Sequence, residues 1–147
     1  MNSKDTDTSN PVTWSLFFAA WVLVTVSTLG SLFFSEVMGV PVCELCWYQR
    51  LAMYPLVLIL AIGLLPYDPK VLRYTVAFTG LGWLIALFHV LLVAGIIPKS
   101  AQPCVQGIPC SETHISLLGF LNIPTLSLLM FTAIGILLFY ANRMESS

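Results

Sequence analysis

The stretch Tyr74–Ile97, YTVAFTGLGWLIALFHVLLVAGII, contains no Asp, Glu, Lys or Arg. A helix gains about 1.5 Å per residue, so a run of this length crosses the roughly 30 Å hydrocarbon core of a bilayer. Three more runs of the same character lie at Trp14–Ser35, Leu51–Leu65 and Leu117–Tyr140. The second is short by itself, but Trp47 and Tyr48 before it suit a membrane interface and bring it close to spanning length. Segments such as Leu56-Val57-Leu58-Ile59-Leu60 are apolar on every face, whereas a membrane barrel strand alternates. The expectation is an all-α integral membrane protein: a four-transmembrane-helix bundle in one domain, with helices near 14–35, 47–65, 74–97 and 117–140.

Composition agrees. Of 147 residues, 58% are apolar and 9% charged, against about 25% charged in a soluble domain. Six basic and seven acidic residues leave a formal charge of -1, so nucleic acid is not an expected partner. A mean hydropathy of +0.90 excludes disorder and a solvated coiled coil. Residues 1–13 read as a polar cytoplasmic tail. Lys4 there is opposed by Asp5 and Asp7, and Ser35-Glu36 is not a small-residue cleavage site, so the first run is expected to be a retained helix and not a signal peptide.

Lys and Arg in short loops set the orientation. Lys4, Lys70, Arg73 and Arg143 fall on one side, Lys99 and Arg50 on the other. Both termini are therefore expected in the cytoplasm, with the loops Glu36–Cys46 and Pro98–His114 outside the cell membrane. All four cysteines fall in those two loops: Cys43 and Cys46 in the first, Cys104 and Cys110 in the second. Thiols outside the cytoplasm tend to be oxidised, so two close pairs suggest two disulfides. Structural staples are one reading, and a natural one for the Pro- and Gly-bearing loop of Cys104 and Cys110. A C-x-x-C bridge closes too small a loop to constrain much chain entropy, so Cys43 and Cys46 read better as a redox couple.

Cys46 stands where the second helix begins, and the unpaired N–H groups and dipole of a helix start favour a thiolate. Arg50, four residues on, shares its helical face and adds fixed positive charge, with a guanidinium able to polarise a ligand carbonyl. An interfacial anchor reaching for headgroups is the commoner use of such an arginine; its register with Cys46 favours the site reading. A c-type haem site needs His where Trp47 stands. A four-cysteine zinc site is opposed by the oxidising compartment and by the separation of Cys104 from Cys110, so no metal is expected. An ionisable residue inside a span is costly, which makes His89 either functional or a satisfied interior histidine. Pro55 and Pro124 are expected to kink their helices.

The run Cys43-Glu44-Leu45-Cys46-Trp47-Tyr48-Gln49-Arg50-Leu51-Ala52-Met53-Tyr54-Pro55, followed by Pro103-Cys104 and Gly107-x-Pro-Cys110, resembles the DsbB/BdbC family of quinone-dependent thiol:disulfide oxidases. The short second loop looks most like the BdbC branch. The resemblance implies an enzyme of the bacterial cytoplasmic membrane that reoxidises a soluble DsbA-like thioredoxin-fold protein and passes the electrons to ubiquinone or menaquinone from the lipid pool. It further implies that Cys104 is attacked by the partner, that Cys110 exchanges with Cys43, and that Cys46 faces the quinone with Arg50 on a quinone oxygen. A similar histidine near the quinone in relatives gives His89 a role there. Departures are Gln49, where related proteins commonly have Glu, and the compact second loop. Two alternatives remain: a tetraspan assembly protein with stapled loops, and a vitamin K epoxide reductase-like enzyme, whose cysteine pairs come in the reverse order.

Overall fold

The structure is a computed structural model that describes residues 11–39, 44–65, 68, 70–101, 116–117 and 121–146. Cys43, Cys104, Cys110 and His114 lie outside the described residues. Helices α1 (Pro11–Glu36), α2 (Glu44–Leu64), α3 (Val71–Val93) and α4 (Ile123–Ser146) dominate. A 3₁₀ turn covers Lys99–Ala101, and two short strands, β1 (Ser116–Leu117) and β2 (Leu121–Asn122), pair antiparallel just before α4. Each of the four helices is long and apolar enough to cross a membrane. The chain is thus the four-helix membrane bundle that the sequence implies.

Local chemistry explains where the helices differ from the apolar runs. α1 starts at Pro11, ahead of the first apolar residues, because proline is preorganised for a first turn that needs no N–H from it. α4 starts at Ile123 and not at Leu117, since Ser116 and Leu117 are engaged in the ladder with Asn122 and Leu121. Pro124 is consequently the second residue of α4 and makes no kink there; among the described residues only Pro55 lies inside a helix. α3 stops at Val93 and not at Ile97. Gly95, at φ +79°, accepts a left-handed turn that a side chain resists, so its N–H reaches the Leu92 carbonyl at 3.2 Å and the Ile96 N–H reaches that of Leu91 at 3.2 Å. These are the two bonds of a Schellman ending.

Neighbouring helices run antiparallel. Thr28 meets Met53 and Ser31 meets Arg50 between α1 and α2, Gln49 meets His89 between α2 and α3, and Trp83 meets Thr132 between α3 and α4. α1 also packs on α4, closing a four-cornered bundle. The core along its axis contains Phe17, Leu56, Leu60, Phe131, Ile134 and Leu138, all with no exposed surface. Lipid is as apolar as leucine, so close packing and satisfied polar groups drive association here more than hydrophobicity does. Several hydroxyls inside the spans are satisfied within their own helices: Thr25, Ser27, Thr28 and Thr79 each donate to the carbonyl four residues back at 2.7–2.8 Å.

Two glycines permit close helix approach. A Cβ on Gly82 would run into the Phe131 ring, and one on Gly63 would come within 2.8 Å of Val71 and 3.3 Å of Phe17. Phe131 is fully buried and has nowhere to retreat. Gly82→Ala is therefore expected to destabilise the bundle by about 1–3 kcal/mol, the usual range for overpacking. Gly80→Ala, with open space around its Cβ, is expected to be neutral or slightly stabilising. Thermal unfolding of the two variants in the same detergent checks the contrast.

Candidate functional site

The end of the bundle where α2 begins and α3 finishes collects the side chains of chemical interest. Cys46 is the third residue of α2, within the turn whose N–H groups lack intrahelical acceptors. It is half-buried and packs against a small apolar cluster built on Leu45 and Leu92, with Ile85, Phe88 and Ile97 around it. Trp47 and Tyr48, which follow, are exposed on the outer surface, as interface residues are.

Arg50 is half-buried one turn along from Cys46 and is held by α1. Its Nε donates to Ser31 Oγ at 2.8 Å and its Nη2 to the Ser31 carbonyl at 2.6 Å. This fork uses two of the five guanidinium N–H groups and fixes the plane of the head, which a headgroup anchor would leave free to move. α1 thereby sets where the positive charge sits relative to the start of α2.

On the inner side of the same turn lies a buried polar chain. Gln49 is 6% exposed and His89 0%. Gln49 Nε2 lies 3.4 Å from His89 Nδ1, and the Ser127 hydroxyl donates to Gln49 Oε1 at 2.8 Å. α4, α2 and α3 are tied together through three side chains in a region otherwise built of Leu, Phe and Met. His89 is thus an interior histidine facing the bundle, one turn below Leu92 of the cluster that Cys46 joins.

The structure therefore brings Cys46, Arg50 and His89 to one end. The other three cysteines lie outside the described residues, as does the whole segment from 102 to 115. Among the described residues no group of three or more His, Cys, Asp and Glu side chains is arranged to hold a metal ion. Sequence reading missed Ser31 and Ser127. The usable signal was weak: small hydroxyl residues within apolar runs, where these two bond to a polar side chain of α2 while most bond to their own helix.

Comparison with known proteins fits this arrangement. Residues 12–141 match the family described as disulfide bond formation protein DsbB. "Probable disulfide formation protein C 2" of Bacillus cereus is 43% identical over 127 residues, covering 86% of this chain and 91% of the relative. "Probable disulfide formation protein" of Metapseudomonas resinovorans is 43% identical over 133 residues, 90% of this chain and 92% of its own. "Disulfide bond formation protein C" of Bacillus subtilis is 44% identical over 119 residues, covering 80% and 85% respectively. No solved structure matches the chain.

The clamp on Arg50 has a measurable energy. Hydrogen bonds to a charged group contribute roughly 1.5–3 kcal/mol, and those between neutral groups about 1 kcal/mol. Ser31→Ala leaves the backbone carbonyl in place and is expected to cost about 1.5 kcal/mol, the low end for one bond to a charged group. Arg50→Met loses both bonds and is expected to cost about 2–3 kcal/mol. Arg50→Lys should not restore the difference, because an ammonium has no planar fork to span hydroxyl and carbonyl together. Unfolding free energies in mixed detergent micelles test the order of the three variants.

Proposed function

The chain belongs to the DsbB family of disulfide bond formation proteins, and from that membership we propose that it is a quinone-dependent thiol:disulfide oxidase that recharges a soluble DsbA-like thioredoxin-fold protein. The coarser part of this reading, a membrane oxidoreductase that forms disulfide bonds, follows from the family and from the four spans. The observation that carries the finer part is the placement of Cys46. It occupies the first turn of α2, beside an apolar cluster, at the end of the bundle that also holds Arg50 and His89.

These surroundings suit a quinone. Leu45, Ile85, Phe88, Leu92 and Ile97 offer an apolar face next to the sulfur. Arg50 keeps guanidinium N–H groups beyond the two spent on Ser31, and His89 brings an imidazole, so carbonyl oxygens have nitrogen donors on hand. Arg50, His89 and Cys46 are the residues that would hold the group. When bound, a quinone accepts two electrons and two protons, which lets the Cys43–Cys46 disulfide form again.

The chain's own part is thiol–disulfide exchange. The reduced partner's thiolate attacks Cys104, forming a mixed disulfide and releasing Cys110. Cys110 then attacks Cys43 of the Cys43–Cys46 disulfide and releases Cys46 as a thiolate. The partner's second thiol attacks its own sulfur in the mixed disulfide, leaving with a disulfide and freeing Cys104. Cys104 next displaces Cys43 from Cys110, so the loop disulfide is restored and both electrons reside on Cys43 and Cys46. The helix start and the Arg50 charge favour the thiolate on Cys46 that this sequence needs. With the loop pairs outside the membrane and both termini inside, as the lysine and arginine distribution favours, the partner is an extracytoplasmic protein.

The purified protein, mixed with a reduced thioredoxin-fold oxidase and decylubiquinone, is expected to consume quinone in stopped-flow absorbance. Cys46→Ser should abolish that loss. A partner lacking its resolving cysteine, mixed with Cys110→Ser protein, should be trapped as a mixed disulfide that mass spectrometry assigns to Cys104. Quinone turnover that survives Cys46→Ser would overturn the mechanism, and trapping at Cys43 would overturn the entry route.

A further inference from the structure

We propose that Ser31 is a positioning residue that decides which edge of the Arg50 guanidinium is presented to the electron acceptor. A guanidinium is planar and only donates, so the direction of each bond it makes is settled by its chemistry. Arg50 Nε lies 2.8 Å from Ser31 Oγ, and Nη2 lies 2.6 Å from the Ser31 carbonyl oxygen. Both oxygens accept, and both belong to one residue of α1.

A guanidinium offers two paired edges, Nε with Nη2 and Nη2 with Nη1. Ser31 occupies the first. Because the group is flat and rigid, the second edge then faces away from Ser31 in the same plane. One acceptor alone would leave a pivot about which the head could swing. Two of them, one on the side chain and one on the backbone, hold the plane, and the hydroxyl is the one that a substitution can remove.

The clamp also sets depth. Cα–Cβ bonds tilt toward the start of a helix, so an unheld arginine at the seventh residue of α2 extends outward, toward water. The register between the helices opposes this. Thr28 meets Met53, and three residues further along α1 Ser31 meets Arg50, three residues back along α2. Ser31 is thus level with the Arg50 backbone, and the head is drawn sideways to α1 within the span.

The consequence for activity rests on the proposed function. A quinone oxygen accepts hydrogen bonds, and the Nη1–Nη2 edge consists of donors alone. An edge already oriented does not have to be ordered when such an oxygen binds, and that difference appears in KM more than in kcat. A serine on α1, which Arg50 separates from the acceptor, thereby tunes how well the acceptor is held.

The test uses the full-length chain in lipid nanodiscs, labelled with ¹⁵N-arginine and carrying Arg73→Lys and Arg143→Lys, which leaves Arg50 as its one arginine. Without quinone, Nη1 and Nη2 should give separate NMR signals, since the fork stops rotation about the Nε–Cζ bond. Ser31→Ala should merge them, and Ser31→Thr, which keeps the hydroxyl at this half-buried position, should retain the parental pair. In turnover assays Ser31→Ala should raise the KM for decylubiquinone about fivefold, the cost of ordering one long side chain on binding, with a smaller change in kcat. Ser31→Thr should restore it. Gly82→Ala, which crowds Phe131 in the core, should leave the KM unchanged and so separates positioning from general loosening of the bundle. Merged Nη signals in the parent, separate signals or an unchanged KM in Ser31→Ala, or a KM raised equally by Gly82→Ala overturns the proposal. Separate parental signals in a protein that consumes no quinone overturn the functional reading and leave the clamp intact.

Discussion

Hydrocarbon supplies no hydrogen bonds, so every polar group carried into a span must find its partner within the protein. This bundle meets that demand in two main ways, at two different places, while the buried Thr13 hydroxyl and Trp21 indole N–H of α1 have no hydrogen-bond partner among the described residues. Along most of the spans, serine and threonine hydroxyls turn back onto their own helix carbonyls. At the start of α2 the polar side chains are too long or too rich in donors for that, and they reach other helices: Arg50 to α1, and Gln49 to both α3 and α4. One turn of α2 therefore touches every other helix through a directed bond. Elsewhere the helices meet mainly through Phe, Leu and Ile and through glycines that allow them close, with the Trp83 indole donating to Thr132 between α3 and α4.

That concentration of directed bonds coincides with the candidate site. Cys46 lies three and four residues before Gln49 and Arg50, within the same first two turns. Under the proposed function Cys46 exchanges partners, a task that calls for fixed surroundings, and rigidity here comes from outside the cysteine. The apolar cluster on Leu45 and Leu92 completes this by covering one flank of Cys46 with side chains that carry no polar group. Stability and reactivity thus draw on adjacent residues of one turn.

How far the sequence made this legible varies with the kind of force involved. The four spans were readable because hydrophobic length is a local property, carried by uninterrupted runs such as Tyr74–Ile97. Their ends were less so. The fourth run looked helical from Leu117, but the ladder of Ser116 and Leu117 with Asn122 and Leu121 depends on a chain reversal that apolar content does not encode, and Pro124 is a starting residue, not a kink. Cys46 and Arg50 were found from their four-residue spacing on one helix. His89 was conspicuous as an ionisable residue in a span. Ser31 and Ser127 could not be told from their neighbours, since a serine that binds its own helix and one that clamps another look the same in a sequence. Only the antiparallel packing, which sets Ser31 opposite Arg50 and Ser127 opposite Gln49, separates them.

The division between self-satisfied and cross-bonded spans also bears on how the protein is made. α1 carries its hydroxyls closed onto its own backbone at Thr25, Ser27 and Thr28, so it can enter the bilayer alone and await its neighbours, as the two-stage picture of membrane folding supposes. α2 is in a different position. Gln49 without His89 or Ser127, and Arg50 without Ser31, would lack the partners that they have in the bundle. Biosynthesis delivers α1 first, so the arginine's acceptor is already present when α2 emerges, but α3 and α4 come later. The directed bonds of the second helix are therefore complete only when the third and fourth have packed against it.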